Sequence, residues 1–109
     1  MEFRSRAELE VMDYIALLWE QFYVAEAMLD LEKRITELKG DISVASAQLQ
    51  EAKRRRNTIV FPFEDASRRE NPILKGLRQN LFQKYEDVKN LENALAAIQE
   101  YSDLVNSFT

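Results

Sequence analysis

The stretch that decides the fold is residues 14–59, YIALLWEQFYVAEAMLDLEKRITELKGDISVASAQLQEAKRRRNTI. Apolar side chains recur here at alternating intervals of three and four residues, a pattern typical of a helix that packs along another helix. The first position of each seven-residue repeat reads Tyr14, Gln21, Met28, Ile35, Ile42, Leu49, Arg56, and the fourth reads Leu17, Val24, Leu31, Leu38, Ala45, Ala52, Ile59. Only Gln21 and Arg56 interrupt this seam, so the stretch predicts a long coiled-coil helix.

A second seam of the same period follows later in the chain, and Lys84 is its main fault. Its first positions are Leu74, Leu81, Val88, Leu95, Ser102, and its fourth positions are Leu77, Lys84, Leu91, Ile98, Val105. Ser5 with Glu8 forms a capping box before the first helix, and Asn71-Pro72 is a start signal before the second. The expected fold is all-α, an antiparallel coiled-coil helical hairpin with helices at about 6–57 and 72–107 and a tip at 58–71.

The composition agrees with few, long helices in one domain spanning residues 1–109. The chain has only two Gly and two Pro, so it contains little turn-forming material. Gly40 could end a helix, which would give the alternative of a three-helix bundle broken at Gly40. The repeat passes through Gly40 in phase, however, and a loop would normally reset it. We therefore expect helix one to be continuous.

Residue types needed for common enzyme chemistry are missing. There is no Cys and no His, which removes thiolate metal sites and the commonest general base. Most carboxylates, including the pairs Glu10 with Asp13 and Glu26 with Asp30, lie outside the seam positions, as on a solvated face. We expect a protein that is not an enzyme and that uses no metal and no cofactor.

No segment of the sequence suggests a membrane location. The longest apolar runs, residues 15–19 and 59–63, are too short to span a bilayer, and the first ten residues do not form a secretory signal. The polar face of residues 6–31 is acidic, which disfavours binding to anionic lipid. The sequence therefore predicts no membrane partner and a location in the cytoplasm or in a virion interior.

The two helices are predicted to differ in length, and this difference suggests a docking site. At about 1.5 Å per residue, they would reach roughly 78 Å and 54 Å, so the second would end near residue 21 of the first. Residues 6–21 would then have no partner within the chain, although they are rich in apolar and aromatic side chains. The candidate binding residues on this overhang are Val11, Ile15, Leu18, Trp19 and Phe22. Two copies joined there would form a homodimer with a four-helix section.

The predicted tip is strongly basic and is followed by apolar residues. Residues 1–52 carry five basic and eleven acidic side chains, residues 53–78 carry eight and three, and residues 79–109 carry two and five. Lys53–Arg56 can compensate the negative end of helix one, meet the acidic end of another copy or an acidic protein, or contact nucleic acid phosphates. The candidate residues at the tip are Arg54, Arg55, Phe61 and Phe63.

These features favour a protein–protein interaction or assembly role, as a structural component, an adaptor or a small acidic chaperone. Its partners would be a second copy, a larger protein, or both. The alternative is a regulator or inhibitor that contacts nucleic acid, or a protein that binds nucleic acid, through the basic tip. The overall acidity of the chain, with a net charge of −4, argues against that alternative.

Overall fold

The structure is a computed structural model that describes residues 2–58 and 72–109. Its elements are α1 (Arg6–Glu10), α2 (Tyr14–Thr58) and α3 (Pro72–Asn106). The described residues contain no strand, so the expected all-α class is confirmed for this part of the chain. The predicted tip, including Phe61 and Phe63, lies outside the described residues except for Thr58.

The prediction of one uninterrupted helix from residue 6 is wrong, because the helix breaks between Glu10 and Tyr14. The expected capping box does begin α1, where the Ser5 hydroxyl accepts from the Glu8 amide and the Glu8 carboxylate accepts from the Ser5 amide. After one short helix the chain turns, and the Asp13 carboxylate accepts a 2.7 Å hydrogen bond from the Ala16 amide. Asp13 therefore caps a new helix start.

The alternative of a bundle broken at Gly40 is also wrong, since α2 passes through Gly40 without interruption. Gly40 lies on an exposed part of the helix, and a Cβ atom added there would meet nothing within 4 Å. The local reason for continuity is that the residues on both sides are ordinary helix formers in the same repeat. A glycine then costs the helix about 1 kcal/mol without ending it.

The seam predicted from the sequence corresponds to the shielded side of both long helices. On α2 every seam position from Leu17 to Ala52 is buried or half-buried, and so is every seam position of α3. Tyr14 departs from the pattern, because this first residue of α2 is exposed. Phe82 and Tyr85, which lie beside Lys84 in the sequence, are exposed as well.

The described chain divides into two compact units. The first combines Met1–Thr36 with Lys89–Thr109, and the second is Glu37–Val88. In the first unit, Gln21 donates to the Asn106 side chain at 2.8 Å, and Leu31 shares a groove with Ala94. The two helix segments of this unit therefore run antiparallel. The second long helix was expected to end near residue 21 of the first, and its last residue, Asn106, does contact Gln21.

The core of the first unit explains why α1 folds back. One cluster of buried side chains contains Leu9, Leu17, Val24, Ile98, Tyr101 and Val105. Leu9 is fully buried, and Met12 and Phe108 pack against the same cluster. The expectation that residues 6–21 lack any intrachain partner is thus wrong, since Leu9, Leu17 and Gln21 all have partners within the chain. Burying Leu9 instead of leaving it in water stabilises this turn by roughly 1.5–3 kcal/mol.

In the second unit, four side chains are buried among the residues whose side chains the structure describes. Ala45 and Leu49 on α2 are buried, and so are Leu74 and Val88 on α3. All four occupy seam positions, so the seven-residue pattern accounts for these buried side chains.

Candidate protein-binding face

Residues 2–10, which we call the N-terminal arm, are fixed by a polar network on the first unit. Glu20 is the buried charged residue of the described chain, at 7% exposure. Its carboxylate accepts a 2.6 Å hydrogen bond from the Tyr101 hydroxyl and a 3.3 Å bond from the Arg4 guanidinium. The Arg4 amide donates in turn to the Tyr101 hydroxyl at 3.1 Å. Glu20 is thus hydrogen-bonded on both carboxylate oxygens, which is what makes its burial tolerable.

Tyr101 joins this network to the apolar core. Its ring stacks on Phe3 of the arm, with centroids 4.7 Å apart and an interplanar angle of 14°. Burial raises the pKa of Tyr101 above its usual range, and the hydrogen bond to the Glu20 carboxylate adds to this effect. The arm is thus held on Tyr101 by both ring stacking and hydrogen bonds.

In contrast to the shielded seam, the outer side of α2 carries a broad apolar surface that is exposed to water. We call it the aromatic face. It consists of Ile15, Leu18, Trp19, Phe22, Tyr23 and Leu29, which are all exposed. The exposed fractions of Trp19 and Phe22 are 56% and 53%. The seam of the first unit is therefore shielded, whereas the aromatic face remains exposed to water. An exposed apolar surface of this kind commonly marks an interaction site.

Three rings of the aromatic face support one another. Trp19 contacts Phe22 edge-on with centroids 6.0 Å apart, and it stacks on Tyr23 at 6.1 Å. Phe22 and Tyr23 form a further edge contact at 6.0 Å. Because these rings pack on each other along one helix, they form a pre-ordered patch that loses little side-chain freedom on binding.

The structure brings together most of the overhang residues selected from the sequence. Ile15, Leu18, Trp19 and Phe22 lie on the aromatic face of α2. Val11 is also exposed, but it lies in the turn between α1 and α2 and not on a continuous helix. Tyr23 and Leu29 extend the face beyond the selected set. Leu29 lies seven residues after Phe22, and this helical spacing is the sequence signal that could have identified it.

An acidic cleft borders the aromatic face. It has a volume of about 350 Å³ and is lined by Glu2, Phe3, Arg4, Glu8, Glu20 and Tyr23. Tyr23 therefore belongs to both surfaces. In the described residues no group of three or more acidic side chains is arranged to hold a metal ion. The cleft instead gives the rim of the face a negative character.

A shallow apolar groove lies on another side of the first unit. It has a volume of about 500 Å³ and is lined by Phe3, Ala27, Asp30, Leu31, Arg34, Ala94, Ala97 and Ile98. Asp30 and Arg34 form an exposed ion pair at 3.1 Å on its rim. The groove extends from Phe3 of the arm along the two helices, where the small side chains of Ala27, Ala94 and Ala97 line it.

The described part of the predicted tip is engaged in local ion pairs. Arg54 and Arg55 both contact the Glu51 carboxylate, at 2.9 Å and 3.2 Å respectively. The Arg54 hydrogen bond is the largest cause that lowers the pKa of Glu51, with a further contribution from Arg55. Exposed pairs of this kind are weak, so they leave the prediction of a contact role for Arg54 and Arg55 untested.

Comparisons with known proteins return no match for this chain, whether with protein-family models, curated proteins or solved structures. Among the described helices, none contains a stretch that is both long and apolar enough to cross a membrane.

Proposed function

We propose that this protein is a non-enzymatic assembly protein that binds another protein chain through the aromatic face, and that it forms a homodimer there. The observation that carries the proposal is the aromatic face itself, in which Trp19, Phe22 and Tyr23 are ordered by mutual ring contacts yet remain more than half exposed. Tryptophan and tyrosine are the residue types that most often dominate the energy of protein interfaces.

The size of the face is adequate for a specific interface. An aromatic side chain presents about 150–250 Å² of surface, so the three half-exposed rings offer roughly 250–400 Å². The flanking aliphatic side chains Ile15, Leu18 and Leu29 add to this, with Ile15 and Leu29 about two-thirds exposed. A standard interface takes about 800 Å² from each partner, and a contact along the whole face approaches that value.

The remainder of the fold serves this face as a scaffold. The shielded seams on α2 and α3 support a coiled-coil arrangement of the two helices, and the burial of Leu9 from the arm supports a rigid first unit. A rigid helix is a suitable platform, because a docking partner then orders few groups on binding. The role would be that of a structural component, an adaptor or a small acidic chaperone.

The test is the mass of the purified protein by multi-angle light scattering across a concentration series. We expect a dimer that dissociates on dilution. Trp19→Ala together with Phe22→Ala should raise the dissociation constant by at least about 30-fold, since truncating a central interface aromatic costs about 2 kcal/mol or more. Circular dichroism should show unchanged helix content, because both side chains are largely outside the core.

The matched control is Phe82→Ala together with Tyr85→Ala. These two aromatic side chains on α3 are 66% and 56% exposed and lie outside the aromatic face. Their truncation removes comparable apolar surface, yet it should leave the dissociation constant unchanged. A protein that is monomeric at every concentration would overturn the proposal of self-assembly, and equal effects of the two double variants would remove the aromatic face as its cause.

A further inference from the structure

The apolar residues of the aromatic face are spaced symmetrically about Phe22. Ile15 lies seven residues before Phe22 and Leu29 seven residues after it, while Leu18 lies four before and Ala25 three after. All five are exposed and all belong to the uninterrupted helix α2. Residues three, four and seven apart share one side of a helix, so this stripe presents nearly the same surface when it is read in either direction.

A stripe of this kind is self-complementary when two copies meet antiparallel. With a two-fold axis at Phe22, Ile15 of one copy lies against Leu29 of the other, and Leu18 lies against the small side chain of Ala25. An interface around a two-fold axis uses the same patch on both subunits, which is the commonest arrangement in homo-oligomers. The large and small side chains then alternate across the contact, as close helix packing requires.

The charges next to the stripe favour the antiparallel direction. Lys33 is exposed and lies on the same side of α2, eleven residues after Phe22. In the antiparallel pair it approaches the start of the other copy's α2, where Asp13 and Glu10 are exposed. In a parallel pair Lys33 would meet Lys33 and Glu26 would meet Glu26, and like charges face to face are unfavourable.

We propose that the partner of the aromatic face is the same face of a second copy, with the two α2 helices antiparallel and the two-fold axis at Phe22. This inference rests on the proposed function and specifies its partner and register. Trp19 then lies beside Glu26 of the other copy, where the indole N–H is within reach of a carboxylate acceptor. The acidic cleft next to Tyr23 stays at the rim of the contact.

The test uses single cysteine variants, because the natural chain contains no cysteine to interfere. Under mild oxidation Phe22→Cys should form a disulfide-linked dimer, since a residue on the axis faces its own copy. Ile15→Cys alone and Leu29→Cys alone should stay unlinked, whereas an equal mixture of the two should cross-link. Phe82→Cys is the control for random collision, and it should not cross-link at the same concentration.

A second pair covers the case in which loss of the Phe22 ring weakens the dimer itself. Leu18→Cys mixed with Ala25→Cys keeps all three rings, and it should cross-link only as a mixture. Self-linking of Ile15→Cys and of Leu29→Cys would show a parallel pair and overturn the proposed register. A dimer by light scattering that none of these variants can link uses another surface, which refutes this inference but not self-assembly. A monomeric natural protein refutes both.

Discussion

Glu20 and Tyr101 are the two described residues of the long helices that are buried although they do not occupy seam positions. Both occupy the position just before a seam residue, Gln21 in α2 and Ser102 in α3, where a two-helix coiled coil leaves side chains at the water boundary. Here both are buried, because the arm lies over this flank and supplies Arg4 and Phe3 as partners. The burial of a polar group such as the Glu20 carboxylate is tolerated only while every hydrogen bond of its network is formed.

Tyr101→Phe tests that dependence at a single atom. The substitution keeps the ring that stacks on Phe3 and removes the hydroxyl, which donates to Glu20 and accepts from the Arg4 amide. We expect the free energy of unfolding at pH 7 to fall by about 1–3 kcal/mol, because a buried carboxylate loses a hydrogen bond. Urea unfolding followed by circular dichroism measures this value. A variant as stable as the natural protein would mean that the network does not hold the arm.

The Tyr101 hydroxyl should also make the free energy of unfolding depend on pH. The pKa of Tyr101 is raised in the folded state by burial and by the Glu20 carboxylate, so the folded protein holds this proton more tightly than the unfolded chain does. The stabilisation is fully present below the unfolded value of about 10 and is lost as the pH rises through the folded pKa. The stability difference between the natural protein and Tyr101→Phe should therefore shrink above about pH 10. A constant difference up to pH 11 would contradict this.

At the scale of elements, the long helices could be predicted from the sequence and the break before α2 could not. The seam from Leu17 to Ala52 depends on a local period, which the sequence contains in full. The break involves contacts between residues that are far apart in the sequence, because Leu9 packs in one cluster with Tyr101 and Val105 of α3. Asp13 was a local signal for the new start, but without a Glu or Gln at the third helical position it did not form a capping box.

Asp13→Ala measures the contribution of the cap to this break. Losing the 2.7 Å bond to the Ala16 amide should lower the free energy of unfolding by about 0.5–2 kcal/mol. Asp13→Asn is the matched control, since asparagine caps helices about as well and retains the acceptor oxygen. Chemical denaturation of the three proteins side by side gives the comparison. If Ala and Asn behave alike, the side-chain acceptor does not fix the start of α2.

Gly40→Ala should stabilise the middle of α2. The added Cβ would meet nothing within 4 Å, and the position is exposed within a continuous helix. We expect the free energy of unfolding to rise by roughly 0.5–1 kcal/mol, because alanine loses less backbone freedom than glycine on folding. Thermal or urea unfolding measures the gain, and Gly76→Ala in α3 offers an independent repeat in an equally open site. A loss of stability would indicate that Gly40 is needed for a bend or a contact.

At the scale of the whole molecule, the two compact units differ in what they bury. The first unit has a cluster of six buried residues, among them Leu9 of the arm, with further partly buried side chains packed against it. In the described part of the second unit, the buried residues are Ala45, Leu49, Leu74 and Val88, of which one is only an alanine. Stability is not uniform in a chain of this kind, and regions with more buried apolar contacts open less often.

Leu9→Ala tests whether the first unit opens independently of the second. Leu9 is fully buried, so truncation should cost about 2–5 kcal/mol by leaving a cavity in the cluster. In hydrogen exchange followed by mass spectrometry, amides of residues 17–31 and 91–105 should exchange faster, while residues 38–52 should keep their natural rate. Val44→Ala is the control, because Val44 is 60% exposed on α2 and its truncation should change neither region. Equal acceleration in both units would show that the chain unfolds as one cooperative body, in which case the arm stabilises the whole protein instead of the end that carries the aromatic face.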